Sequence, residues 1–232
     1  HGCSDTHELW NPLDRVNYYT SPAIGVAARE AFEMAGKSVA DISFFDIYSC
    51  FPVAVEMAAR EIGIEPDDDR GLTLTGGLPY FGGPGNNYAM HGIAEALTKT
   101  RENPGKYVLA TANGWYLTKH AMGIYSSEPF VGDWKRKDPK SYQSEIDKQP
   151  QPEIAIRPEG AVRIETYTVS HDRTGPKRAI VIGRDSDDRR FIARTEIGDT
   201  ASLAGLMDGN AIGKTGTVIS KADGMDNIFV LD

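Results

Sequence analysis

The sequence predicts an α/β unit, a βαβαβ sheet with helices, followed by a small β-barrel of oligonucleotide-binding (OB-like) type. Three observations lead there. Strand-like and helix-like segments alternate over the first half, a polar proline-containing stretch interrupts the alternation after Tyr125, and the last third consists of short β-rich runs between Gly, Asp and Pro turns. The chain is accordingly divided into residues 1–125 for the α/β unit, 126–151 for a linker or arm, and 152–232 for the barrel.

The elements follow in order. "SPAIGVAAREAFEMAG", residues 21–36, has a serine cap, proline at the first helical position, apolar residues at helical spacing and a closing glycine. "ISFFDIY", residues 42–48, reads as a buried strand, and "FPVAVEMAAREIG", residues 51–63, as a second helix entered by proline and closed by glycine. "GLTLTG", residues 71–76, is expected as a short strand, residues 87–101 as a helix and "KYVLATANG", residues 106–114, as another strand. The βαβαβ alternation reads as a parallel sheet, to which "LTKHAMGIYS" adds an edge strand. Such sheets place ligands outside the carboxyl ends of their strands, where residues 48–50, 76–77 and 112–114 fall. Beyond residue 151, "AVRIETYTVS", "RAIVIGRD", "RRFIARTE", "GKTGTVIS" and "NIFVLD" supply the barrel strands.

Charge and cysteine usage narrow the function classes. A net charge of −8 over 232 residues repels nucleic acid and anionic membrane surfaces, so neither is an expected partner, and a small ligand or another protein is. No apolar run approaches the ~20 residues of a membrane span. Cys3 and Cys50 form no CxxC spacing, which points to a reducing, cytoplasmic setting and to no thiolate metal site. The opening "HGCSDTHELW" reads as the interior of something longer.

Three segments carry a family resemblance: "DIYSCFPVAVEMAAREIGI", "LTLTGGLPYFGGPGNNYAMHGIAEAL" and "LATANGWYLTKHAMGIYSSEP". They resemble the C-terminal half of the thiolase fold, in the branch of acetyl-CoA acetyltransferases and thiolase-like proteins, and the β-rich end is similar to the extra C-terminal domain of type 1 thiolase-like proteins. The resemblance implies an acyltransferase handling acyl-CoA, with coenzyme A as substrate and no covalently bound cofactor. It also implies a nucleophilic cysteine on an N-terminal thiolase half, in the same or a separate chain, and a homodimer; this chain alone would not be active. Tyr48-Ser49-Cys50-Phe51 is similar to the His-Asp-Cys-Phe loop of sterol-carrier-type thiolases, with tyrosine for histidine. Residues 76–84 match the family's Gly-Gly-x-x-x-x-Gly-His-Pro loop with Gly83 at the histidine. Ala112-Asn113-Gly114 stands where Cys-x-Gly is usual.

Those departures shape the candidate site. Glycine transfers no proton, so His91, His120, Cys50 and Asn113 are the candidate catalytic side chains. His91 lies on the helix after the glycine loop, and His120 follows the third strand end. Cys50 opens a helix, where the dipole favours a nucleophilic thiol. Tyr48, Ser49, Gly76, Gly77, Gly83, Asn86 and Asn87 are the candidate binding positions, as hydrogen-bonding side chains or as glycines permitting close backbone approach. Each also has a structural reading: a buried small Cys50, asparagine caps, a satisfied helix histidine. The glycine loop fits neither the dinucleotide fingerprint nor the phosphate loop. Two functions remain open, an acyltransferase half-site and a non-catalytic acyl-CoA-binding or scaffold protein with a degraded active site.

Overall fold

The polar opening segment "GCSDTH" is an edge strand, because its hydroxyls find partners on a helix. In the computed structural model, which describes residues 1–65, 67–221 and 226–232, this strand (β1, Gly2–His7) lies under helix α1 (Pro22–Ala35). Ser4 Oγ donates to the Ala27 carbonyl at 2.6 Å and Thr6 Oγ1 to the Ala23 carbonyl at 2.8 Å, so two polar side chains are buried without loss. The approach is close enough that a Cβ on Gly2 would stand 2.1 Å from the Ala31 carbonyl oxygen.

The chain divides into two units, residues 1–10 with 19–149, and residues 11–18 with 150–232. In the first, β2 (Ile42–Asp46), α2 (Pro52–Ile62), α3 (Leu78–Phe81), α4 (Tyr88–Glu102), β3 (Tyr107–Gly114), β4 (Lys119–Tyr125) and α5 (Pro139–Asp147) follow β1 and α1. The sheet order is β1-β4-β3-β2, with β2 parallel to β3 and the other two pairs antiparallel. The segment "LTKHAMGIYS", expected at an edge, is therefore interior, and the sheet expected to be parallel is antiparallel at two of its three pairings because β4 returns from β3 by a hairpin. Pro22 and Pro52 open α1 and α2, and Gly36 and Gly63 close them in the left-handed region at φ 62° and 85°. Small Ala27, Ala28 and Ala31 let α1 settle on Ile42, Phe45, Leu109 and Ile124, all within 4% of full burial. Each large side chain so buried stabilises the fold by about 1.5–3 kcal/mol.

Residues 71–76 are not a strand. Asp46, 1% exposed, draws their amides onto its carboxylate: Leu74 N at 3.0 Å and Thr75 N at 3.3 Å donate to Oδ1, as does the Thr75 hydroxyl at 3.2 Å. A side chain has taken the donors that a ladder would need.

The segment after Tyr125 carries α5, capped by Asp138 and burying Tyr142 and Ile146 against Ala23 and Val26. Arg136 pairs with Asp5, and Lys137 Nζ lies 2.7 Å from Glu30 and 2.8 Å from Glu33. No described helix is long and apolar enough to cross a membrane.

The second unit is a closed barrel of β5 (Gly160–Asp172), β6 (Gly175–Arg184), β7 (Arg190–Arg194), β8 (Thr215–Ser220) and β9 (Asn227–Leu231), with α6 (Thr200–Met207) between β7 and β8. Its order, β5-β6-β7-β9-β8, has β7 and β9 parallel and every other neighbouring pair antiparallel, as an OB-type barrel requires. Val162, Ile164, Val181, Phe191, Val218 and Phe229 fill it. Arg190 is fully buried; its guanidinium pairs with Glu165 at 2.5 Å and donates to the carbonyls of Leu13, Arg15 and Val16. Residues 11–18 thereby belong to the barrel unit.

Candidate functional site

At one end of the first unit's sheet, β4 lies between β1 and β3, so their residues stand in rows. Thr6 faces His120, which faces Asn113; one step on, His7 faces Lys119, which faces Gly114. Beyond β3, the Tyr48 amide donates to Thr111 Oγ1 at 2.9 Å, which carries the chain past the end of β2 toward Cys50. These rows floor a cavity of about 800 Å³, walled also by Trp10, Phe51, Asn86, Trp115, Lys140 and Gln143.

Tyr48, Cys50, Asn86, Asn113 and His120 all line that cavity. Asn113 Nδ2 donates to Cys50 Sγ at 3.4 Å, while its Oδ1 is buried and accepts no hydrogen bond from the described residues. Burial pushes the Tyr48 phenol up, reinforced by Cys50 and Tyr88, so the hydroxyl stays protonated and a donor at neutral pH. Its ring packs edge-on to Tyr88 at 5.3 Å.

His120 is 5% exposed, with Nε2 3.1 Å from the Leu117 carbonyl and 3.5 Å from Ser21 Oγ. A carbonyl only accepts, so Nε2 carries the proton. Ser21 in turn reaches buried Glu8, whose Oε2 accepts from Ser21 Oγ and from the Ala23 amide, each at 3.3 Å. Glu8 thus places a carboxylate at the N-terminus of α1, where the helix dipole favours it.

The other sequence candidates build the loop beside the cavity and do not line it. Ser49 Oγ accepts from Leu78 N at 3.1 Å, and a Cβ on Gly77 would meet that oxygen at 3.0 Å. Gly76, Gly77 and Gly83 take φ of 78°, 90° and 45°, the left-handed region open to glycine. Thr75 ties the loop to α4, its hydroxyl 2.5 Å from that of Tyr88. Burial pushes the Asp46 carboxyl up although the Leu74 and Thr75 donors pull it down. Asn87, just before α4, has Nδ2 3.4 Å from Nε2 of His91 on that helix, and the His91 ring meets Phe81 edge-on at 5.3 Å. Among the described residues no three His, Cys, Asp or Glu gather as metal ligands.

Sequence reasoning passed over His7, Trp10, Trp115, Lys119 and Lys140. His7 and Trp10 reach the cavity through β1, which had no strand signal; the "GWYLTK" hairpin that delivers Trp115 and Lys119 was legible as a strand boundary only.

The family model for the thiolase-like protein type 1 additional C-terminal domain matches residues 141–224. Among solved structures, the monomeric SCP2-thiolase like protein type 1 from Mycobacterium smegmatis is 42% identical, with a TM-score of 0.89 over all of this chain and 49% of that one. The chain is thiolase-like, with the additional C-terminal domain. It spans about half the length of that relative. No curated protein matches it in sequence. In this thiolase-like chain the loop after β2 and the end of β3 bring Cys50 and Asn113 into contact.

Proposed function

We propose that this thiolase-like chain supplies part of a site for acyl-CoA thioesters, and that an N-terminal thiolase half, in the same or a separate chain, brings the nucleophilic cysteine. The observation that carries the reading is the Asn113 amide bonded to Cys50 Sγ within the cavity. Asn113 Nδ2 and the protonated Tyr48 hydroxyl are donors for a thioester carbonyl, and the Cys50 thiol is the group able to pass a proton. His120, held by Leu117 and Ser21, positions the β4 edge of the floor. The setting is reducing and cytoplasmic, which suits free Cys3 and Cys50.

Gly83 and Ala112 favour a second reading, in which the protein binds acyl-CoA without turning it over, because carbon–carbon bond formation needs an activated nucleophile and a base for the α-proton. Calorimetry on the full-length protein separates the two. Acyl-CoA binding with little thiolysis of acetoacetyl-CoA is the expected result. Where acyl transfer is measurable, Cys50→Ala lowers its rate by about 10²-fold or more while binding persists. Turnover at ordinary enzymatic rates removes the binding-only reading, and absence of any coenzyme A binding removes both. The homodimer that the resemblance implies is read by sedimentation; the Mycobacterium smegmatis relative is described as monomeric.

A further inference from the structure

Two tryptophans line the cavity while remaining largely exposed, Trp10 at 58% and Trp115 at 71%. In a concave wall, exposed indoles offer flat apolar faces on which a ligand can stack. Trp115 stands in the left-handed region at φ 57°, with Leu117 at 52°, so the hairpin between β3 and β4 holds a bulky residue in a conformation that costs about 1–2 kcal/mol. Both indoles are backed by the same row of the sheet. His7 packs on Trp10 with ring centroids 5.3 Å apart and a 31° tilt, Lys119 Nζ lies 6.0 Å from the Trp115 centroid, and His7 and Lys119 are direct partners across β1 and β4. Lys119 and Lys140 line the cavity, are exposed, and have no carboxylate within ion-pair distance among the described residues.

We propose that the cavity takes a flat, ring-bearing acyl group, laid against Trp10 and Trp115, with an anionic group of the same ligand at Lys119 and Lys140. Straight acyl chains fill such a space by area alone. A planar π system adds offset-stacked and edge-on contacts with two indoles, and the two ammonium groups complement the ligand's anionic group. The ring site rests on the acyl-CoA reading only for its thioester linkage; the stacking surface and the two cations are independent of it.

The test uses the full-length protein with three probes, 2-naphthoate, 2-naphthoyl-CoA and hexanoyl-CoA, followed by calorimetry and by quenching of tryptophan fluorescence. 2-Naphthoyl-CoA should bind about tenfold more tightly than hexanoyl-CoA, and 2-naphthoate alone should bind measurably and quench the indoles. Trp115→Asn removes the indole yet tolerates positive φ, so it should keep the melting temperature and lose about tenfold in naphthoyl affinity, with less than about twofold change for hexanoyl-CoA. Trp10→Ala should show the same selectivity, and Lys119→Ala should weaken 2-naphthoate. Equal affinity for the two thioesters, or variants that weaken both alike, overturns the ring site and leaves the acyl-CoA reading standing. Naphthoate binding without either thioester keeps the ring site and overturns the acyl-CoA reading. No binding of any probe overturns both.

Discussion

Asp46 ends β2 with a carboxyl that is 1% exposed and accepts from Leu74 N, Thr75 N and the Thr75 hydroxyl. Replacing it by alanine leaves those donors without an acceptor and should cost about 1–3 kcal/mol, while Asp46→Asn keeps an oxygen for them. Because burial raises the folded-state pKa above the unfolded 3.8, the native state binds more protons than the unfolded one in that interval. Its contribution is thus fully present below pH 3.8 and is lost as pH rises through the folded value. Urea unfolding across pH 3–7 should show the wild type losing stability relative to Asp46→Asn as pH rises; a constant difference contradicts the assignment. Strand ends pointed to residues 48–50, 76–77 and 112–114, and side-chain chemistry to Asn86 and His120; of these candidates Tyr48, Cys50, Asn86, Asn113 and His120 line one cavity. The sequence did not separate them from Ser49, Gly76 and Gly77, whose roles depend on which way a loop folds over its neighbour.

Helix α4 approaches β2 through Gly92, where a Cβ would lie 2.1 Å from Asp46 Oδ2 and 3.0 Å from its Cγ. Gly92→Ala gains up to about 1 kcal/mol of helix propensity but must displace a clamped carboxylate, and the net should be a loss of about 1–3 kcal/mol. Gly25→Ala on α1 is the control, because its Cβ would meet the movable end of the Glu61 side chain at 3.3 Å and the Glu61 carbonyl oxygen only at an ordinary contact distance of 3.7 Å. Chemical denaturation of the two variants should move in opposite directions or leave Gly25→Ala unchanged; equal destabilisation removes the close-approach argument. α1 and α2 were legible to within a residue because proline entry and glycine exit are local signals. β1 was not, because its serine and threonine are satisfied by carbonyls of α1, more than fifteen residues away in sequence. The reading of residues 71–76 failed for the opposite reason: a β-branched run lost its amides to Asp46. α5 hid in a stretch read as linker, since only Tyr142 and Ile146 betray a buried face.

The barrel is built from β5 to β9, yet its unit includes residues 11–18, and no local pattern announces that. The joining device is Arg190, which a strand pattern would leave as one more solvated charge; instead it is fully buried, holding Glu165 and three carbonyls of residues 13–16. A buried guanidinium without its carboxylate is costly, so Glu165→Ala should destabilise the barrel by about 3 kcal/mol or more. Burial alone would raise the Glu165 carboxyl, but hydrogen bonds and charge from Arg190 and Arg184 outweigh it and hold it below the ordinary 4.5. A lowered carboxyl contributes stability above the unfolded value of 4.5 and loses it as pH falls through the folded value. Acid should therefore loosen the barrel, with protection of β7 amides against hydrogen exchange declining below pH 4.5 in the wild type and already low at neutral pH in Glu165→Ala. Arg190→Met removes the charge together with its need for a partner, and only Arg184 is left to hold Glu165 down, so its barrel should lose less protection than the wild type as pH falls; if it loses protection in step with the wild type, the acid sensitivity arises elsewhere.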